Sequence, residues 1–252
     1  MKTRRRFFLF LDYAGTHFCG YQIQPNGRTV QEEIEKALQK LCGTKVPIVG
    51  CGRTDAGVHA KNFVAHFDLE ELPLAEDKLV YKLNRMMPQD IYIHRIEEVS
   101  VDLHARFSAT ARTYQYDLST RKNPFKKEFV AVEKRPLNFE AMNLAAKHVL
   151  LMEDFTSFCK LHSDNKTNLC DVTAAHWFPV DDDVWRFEIT ANRFLRNMVR
   201  AIVGSLLEVG LGKWSQEDFI RICKVMDRNQ AGTSAPGSGL HLVKIQYPTR
   251  NI

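Results

Sequence analysis

Apolar residues in the first hundred positions follow two spacings, one typical of helices and one typical of strands. The helical spacing, every three or four residues, runs from Val30 to Leu41 and again from Leu79 to Met86. Strands are predicted where Phe and Leu cluster or where apolar and polar residues alternate, in the ranges 5–12, 46–51, 63–67 and 91–99. The predicted order of this half is therefore β-α-β-β-α-β.

The ends of these helices are marked in the sequence. Thr29, with Glu32 three residues later, is typical of a capping box that begins a helix. Gly43 is expected to end that helix, and Pro88 to end the second one.

The second half repeats the same order, with an extra short helix before its last strand. Strands are predicted at 112–119, 170–179, 184–191 and 240–247, and helices at 139–151, 193–209 and 215–227. Ser215 is expected to cap the last helix, with Asp218 at its third position. The repeat predicts two related halves, residues 1–105 and 106–252.

These elements predict an α+β protein built from two ferredoxin-like β-α-β-β-α-β halves. Split β-α-β units favour a largely antiparallel sheet with its helices on one face. We expect the halves to be joined in one such sheet. An active-site cleft is expected where they meet, because ligands often bind at such junctions.

Composition excludes several classes of protein. In 252 residues, 44% are hydrophobic and 26% charged, which is typical of a globular chain. The apolar runs are far shorter than the roughly 20 residues of a membrane helix, so no membrane span is expected. The basic residues 1–6 precede only five apolar positions, and export is not expected.

The cysteines and the net charge place few further limits on the class of protein. Six cysteines without a Cys-x-x-Cys pair indicate reduced thiols in the cytoplasm. Cys159 and His162 lack a second ligand pair, so no metal site is expected. The net charge of +5 is too small to indicate an acidic partner by itself.

The glycine-rich stretch from Gly50 to Ala60 is the strongest candidate for chemistry. It lacks the third glycine and the following helix of a phosphate-binding loop. An aspartate in such a loop often only caps its own turn, and that interpretation stays open for Asp55. The alternative is a site in which Arg53 helps to hold an anionic substrate and Asp55 acts as a nucleophile.

Two further segments combine basic and aromatic or apolar residues. Basic and aromatic side chains alternate between Arg106 and Tyr116, which is typical of base-stacking surfaces and also of core strands. The predicted helix 193–209 places Arg193, Arg196 and Arg200 on one face. These arginines can form a solvated stripe, but because the helix is otherwise apolar, at least one of them is expected to need a buried partner.

Seven ordered blocks of the sequence resemble the bacterial tRNA pseudouridine synthase A family. They are Tyr13–Gln24, Thr29–Gln31, Gly52–Ala60, Arg106–Ala109, Asp154–Phe158, Phe194–Gly204 and Thr233–Leu240. The Arg-Thr-Asp-Ala-Gly-Val-His block, which begins at Arg53, is the most specific of them. Two departures are Ala14, where an acid is usual, and Tyr21, where tryptophan is common.

The resemblance implies an isomerase that converts uridines 38, 39 and 40 of the tRNA anticodon stem-loop to pseudouridine. It implies that Asp55 is the nucleophile, that Arg200 pairs with its carboxylate, and that Tyr114 contacts the uracil. It further implies that Arg53 holds the extruded nucleotide and that Leu240 lines the uracil pocket. A cytoplasmic homodimer that binds one tRNA across both subunits, with no cofactor or metal, is implied as well.

Basic residues outside the site are candidates for binding tRNA phosphates. They are Arg4 to Arg6, Arg121, Lys122, Lys126 and Lys127.

Three alternative functions remain open at this point. A catalytically silent RNA-binding module would not need Asp55. A nucleosidase would use Asp55 but would release free uracil. A pseudouridine synthase for another RNA would differ only in its substrate.

Overall fold

The computed structural model describes residues 4–25, 27–161 and 165–248. The chain forms two compact units, one of Met1–Thr110 with Leu242–Ile252 and the other of Ala111–His241. Both units combine helices with mainly antiparallel strands, so the predicted α+β class and the mostly antiparallel pairing are confirmed.

Six helices and strands of the first unit follow the predicted order. They are β1 (Arg5–Tyr13), α1 (Val30–Cys42), β2 (Val49–Gly50), β3 (His59–Leu69), α2 (Glu76–Met86) and β4 (Ile91–Val99). Strand β1 lies between β3 and β4 and is antiparallel to both, and β2 pairs antiparallel with β3. The predicted strand 46–51 is thus only two residues long.

The core of this unit is built on β1, whose residues 7–11 are all buried. A strand with buried residues on both faces must be covered on both sides. Phe7 stacks on Phe67 of β3 with their ring centroids 5.5 Å apart. The helices contribute the buried residues Ile34, Leu38, Leu79 and Leu83.

The second unit is built on an antiparallel group of strands and an apolar helix. Its elements are β5 (Ala111–Ser119), β6 (Ala131–Val132), α3 (Phe139–Ala146), β7 (Val172–Asp181), β8 (Val184–Ala191), α4 (Met198–Gly210) and α5 (Gln216–Val225). Strand β8 pairs antiparallel with both β5 and β7, and β6 pairs parallel with β5. Ser215 caps α5 as predicted, and it forms a capping box with Asp218.

Helix α4 begins five residues later than the sequence predicts. Asn197 precedes it with a φ of +66°, a left-handed conformation that cannot continue a helix. Arg193 and Arg196 therefore lie outside α4, and the prediction that they share a helical face with Arg200 is wrong. The predicted helix 139–151 is likewise shorter, because residues 147–151 form a 3-10 helix after α3.

The C-terminal strand β9 (Leu240–Gln246) returns to the first unit. There the backbone N–H of Thr110 donates to the Gln246 carbonyl oxygen at 2.8 Å. The Tyr247 hydroxyl donates to the Ala105 carbonyl oxygen at 2.6 Å. The division by contacts thus differs from the predicted boundary at 105/106 and from the assignment of all C-terminal residues to the second half.

None of the helices among the described residues is long and apolar enough to span a membrane.

His66 of β3 makes the stability of the first unit depend on pH. Its Nδ1 accepts a hydrogen bond from the Ala105 N–H at 3.1 Å, and burial, followed by the charge of Arg6, lowers its pKa from 6.5 to about 4. Between pH 4 and 6.5 the unfolded chain therefore binds more protons at His66 than the native protein does. Stability at this site accordingly rises with pH across that window.

We expect His66→Gln to flatten this dependence. In urea unfolding between pH 7 and 5, the wild type should lose stability more steeply than the variant, by up to about 1.4 kcal/mol per pH unit. His17→Gln, at an exposed position, controls for the loss of a histidine. Equal pH slopes for the wild type and His66→Gln would contradict this role of His66.

Candidate active site

Asp55 lies in a tight turn between β2 and β3. The Val58 N–H donates to the Asp55 carbonyl oxygen at 3.2 Å, which closes the turn. Gly57 has a φ of +76°, the conformation that the third position of a type II turn requires. Asp55 is half-buried and Arg53 is exposed, so both side chains have access to solvent.

The segment that follows β1 fixes this turn through its backbone. A Cβ atom at Gly15 would overlap the Val58 carbonyl oxygen, and one at Gly20 would overlap the Thr54 carbonyl oxygen. The Tyr21 N–H donates to that same Thr54 oxygen at 3.3 Å. The backbone is therefore held on both sides of Asp55.

Buried aromatic side chains pack beside this turn. The Tyr13 hydroxyl and Thr54 Oγ1 are 2.8 Å apart and share a hydrogen bond. The rings of Tyr21 and Phe63 lie 4.4 Å apart between centroids, and burial raises the pKa of Tyr21 well above 10. Tyr21, one of the two departures from the family pattern, is thus a core residue.

Tyr114 and Tyr116 point to the same face of β5 but differ in exposure. Tyr114 is half-buried and meets the Phe194 ring edge-on at 5.0 Å. Tyr116 is fully buried, and burial raises its pKa, an effect that the positive charge of Arg200 partly offsets. The core interpretation of this segment therefore applies to Tyr116, whereas Tyr114 and Phe107, which is 75% exposed, retain accessible surface.

Leu240 follows a close contact between Gly239 and β5. A Cβ atom at Gly239 would lie 2.8 Å from both Tyr116 Cζ and the Asp117 carbonyl oxygen. Leu240 itself is 5% exposed. Its position is thus fixed by the packing of the preceding residue against the strand that carries Tyr114.

Arg200 is the third residue of α4 and is half-buried. Its Nε donates to the Ala235 carbonyl oxygen at 2.7 Å, and the Ala235 N–H donates to the Arg200 carbonyl oxygen at 2.9 Å. Although Ala235 and Gly204 belong to the blocks that resemble the family, sequence reasoning assigned them no role. Neither has a reactive side chain, so no chemical signal marks them.

The five predicted site residues divide between the units. Arg53 and Asp55 lie in one loop of the first unit, whereas Tyr114, Arg200 and Leu240 belong to the second.

Several candidates for phosphate binding pair with acids of their own unit. Arg121 Nε lies 3.0 Å from Asp183 Oδ2, and Lys126 Nζ lies 2.6 Å from Asp181 Oδ2. In the first unit Arg4 and Arg6 both reach Asp68, and Arg5 pairs with Glu98. Arg4 and Arg121 are more than 70% exposed, and because ion pairs with exposed cations contribute little stability, phosphates can compete for such cations. The Arg6 and Asp68 side chains, in contrast, are only 18% and 13% exposed, so Arg6 is held in a structural pair. Lys122 and Lys127 are exposed.

Among the described residues, no cluster of three or more His, Cys, Asp or Glu side chains is arranged to hold a metal ion. Cys159 is buried, and His162 lies outside the described residues.

Comparisons with known proteins match the chain to one family. A family model described as tRNA pseudouridine synthase matches residues 10–108 and 145–248. The chain is 52% identical to tRNA pseudouridine synthase A of Bacteroides fragilis, over 97% of both chains. It is 53% identical to the protein of that name from Parabacteroides distasonis, over 97% of this chain and 96% of the relative.

A more distant relative extends the match. The tRNA pseudouridine synthase A of Limosilactobacillus reuteri is 40% identical, over 98% of both chains. The match thus persists at lower identity over nearly the whole length. The chain therefore belongs to the tRNA pseudouridine synthase family of isomerases.

Proposed function

We propose that this protein isomerises uridine to pseudouridine at positions 38, 39 and 40 of the tRNA anticodon stem-loop, with Asp55 as the nucleophile. The observation that carries the proposal is the Asp55 turn. A half-buried carboxylate is presented by a backbone that Gly15 and Gly20 contact on either side, in a chain of this family. A turn that served only as a connection would not require such close backbone packing on both sides.

The reaction needs no redox step and no net hydrolysis. The bond between ribose C1′ and uracil N1 breaks, the base rotates, and a new bond joins C1′ to C5. The proton at C5 leaves and N1 gains one, so atoms and charge balance. A carboxylate suffices to begin the reaction, by attack either on C1′ or on uracil C6.

The other site residues have complementary roles in this proposal. Arg200 pairs with the Asp55 carboxylate and keeps it ionised, because an opposite charge lowers a carboxylate pKa. Tyr114 stacks on the loosened base and assists removal of the C5 proton. Leu240 lines the uracil pocket, and Arg53 holds the extruded nucleotide.

Access to the uridine requires that the nucleotide leave its stack. Flipping costs a few kcal/mol, which contacts to the flanking phosphates offset. The exposed Lys122 and Lys127 are candidates for these contacts, and Arg121 and Lys126 join them by exchanging their acidic partners for phosphates.

The wider organisation that we propose also follows the family resemblance. The protein is a cytoplasmic homodimer without a cofactor, and one tRNA contacts both subunits. Each half is ferredoxin-like, which the β4-β1-β3-β2 pairing of the first unit supports.

Replacement of Asp55 tests its role directly. Asp55→Asn keeps the size of the side chain but removes its negative charge. We expect it to lower tritium release from tRNA labelled at uridine C5 by about 1000-fold or more, since covalent catalysis needs the nucleophile. The melting temperature should stay within a few degrees of the wild type.

Free uracil, assayed in the same tubes, separates the alternatives. Equal tritium release by both proteins would remove Asp55 from the mechanism. Uracil release by the wild type would indicate a nucleosidase, whereas tRNA binding with no release by either protein would indicate a silent binding module.

The choice of uridines is tested with three tRNA transcripts, each with uridine at only one of positions 38, 39 and 40. We expect pseudouridine at each position, because one flipped-nucleotide pocket can accept neighbouring residues of a stem-loop. Pseudouridine is mapped by carbodiimide modification and primer extension. A transcript without uridine at these positions is the control, and modification elsewhere in it would contradict the proposed specificity.

A further inference from the structure

Residues 232–235, which we call the 232–235 segment, lie against the first turns of α4. The Ala235 backbone both donates to the Arg200 carbonyl oxygen at 2.9 Å and accepts from Arg200 Nε at 2.7 Å. One residue of the segment thus fixes both the backbone and the side chain of Arg200.

The segment approaches the helix more closely than any side chain at position 204 would allow. Gly204 lies one helical turn after Arg200 on the same face. A Cβ atom at Gly204 would overlap the Thr233 carbonyl oxygen and would lie 3.3 Å from the Ala235 nitrogen. Since these are backbone atoms, a side chain could be accommodated only by displacement of the segment.

Hydrogen bonds hold the rest of the segment in place. The Gly232 N–H donates to Ser205 Oγ at 2.9 Å, and Ser205 Oγ donates to the Ala201 carbonyl oxygen at 2.9 Å. Ser234 Oγ accepts from Asn197 Nδ2 at 2.6 Å and from Arg228 Nη2 at 2.9 Å. Gly232, Ser234 and Ala235 are therefore all tied to neighbouring elements of the second unit.

The contact with Ala235 orients the planar guanidinium of Arg200. A guanidinium carries its five N–H donors in a fixed fork, so a bond at Nε sets the direction of the two terminal nitrogens. Displacement of the Ala235 carbonyl oxygen would turn that fork even if Arg200 kept its place in the helix.

We propose that the 232–235 segment, with Gly204 and Ser205, is the positioning element for the Arg200 guanidinium. The proposal rests on the proposed function, in which Arg200 pairs with the nucleophile. These residues act through Arg200 and do not themselves touch the substrate. Their replacement should lower kcat, because a misplacement of about 1 Å can cost about 100-fold in rate. The KM for tRNA should change little.

Two glycines of α4 provide a matched pair of variants. Gly204→Ala places a Cβ against the backbone of the segment, whereas at Gly210 a Cβ would meet the side-chain atoms Met142 Sδ at 2.5 Å and Leu137 Cδ2 at 3.1 Å. Alanine is the better helix former at both positions. We expect kcat for tritium release from C5-labelled tRNA to fall about 10- to 100-fold in Gly204→Ala and less than about 3-fold in Gly210→Ala.

Ser205→Ala provides a milder test in case Gly204→Ala does not fold. It removes the acceptor of the Gly232 N–H and should lower kcat by about 3- to 10-fold. In an Arg200→Lys background, where the Nε bond is already lost, Ser205→Ala should cost less than about 2-fold more.

The outcomes separate this proposal from the proposed function. An inactive wild type would overturn the proposed function itself. If the wild type is active, an unchanged kcat in folded Gly204→Ala and Ser205→Ala overturns the positioning role alone. Melting temperatures that fall equally in both glycine variants, with equal kcat, would indicate a purely structural contact and would also overturn it.

Discussion

The position of Asp55 depends on backbone packing that only glycine permits. Gly15 and Gly20 bring the segment after β1 into contact with the carbonyl oxygens of Val58 and Thr54, on either side of Asp55. Gly20 also has a φ of +88°, which side chains rarely adopt. The backbone on either side of Asp55 is therefore held in one conformation.

In the second unit, a close backbone contact at a glycine likewise lies beside Arg200. At Gly204 the helix that carries Arg200 meets the 232–235 segment backbone to backbone, and Ala235 binds the guanidinium. In both units neighbouring main chain fixes a proposed site residue: the backbone on either side of Asp55, and the guanidinium of Arg200. Precise placement of this kind is what covalent and electrostatic catalysis require.

Periodicity predicted most of the helices and strands, but it missed the short strand β6 and did not give all limits or pairing partners. Strand β8 and the capping box of α5 follow from local sequence alone. The apolar spacing of α4 continues upstream of its true start, so only the left-handed Asn197 reveals where it begins. Likewise a strand pattern identifies β9 without showing that most of it belongs to the first unit, since pairing is a long-range property.

The sequence could indicate only part of the candidate site. Candidate residues such as Asp55 stand out by motif, whereas a residue that positions another one, such as Ala235 beside Arg200, has no reactive side chain. The acids that pair with Arg121 and Lys126 come from the distant turn at 181–183, and sequence clustering of the cations alone could not show them.

The central claim is that backbone contacts at glycine place Asp55, the proposed nucleophile, before substrate binds. The most direct test is the single-turnover rate of C5 tritium release by Gly15→Ala at saturating tRNA, well below its melting temperature. The account predicts a rate at least about 10-fold below the wild type, with tRNA affinity within about 3-fold. A folded Gly15→Ala protein that reacts at the wild-type rate would contradict it.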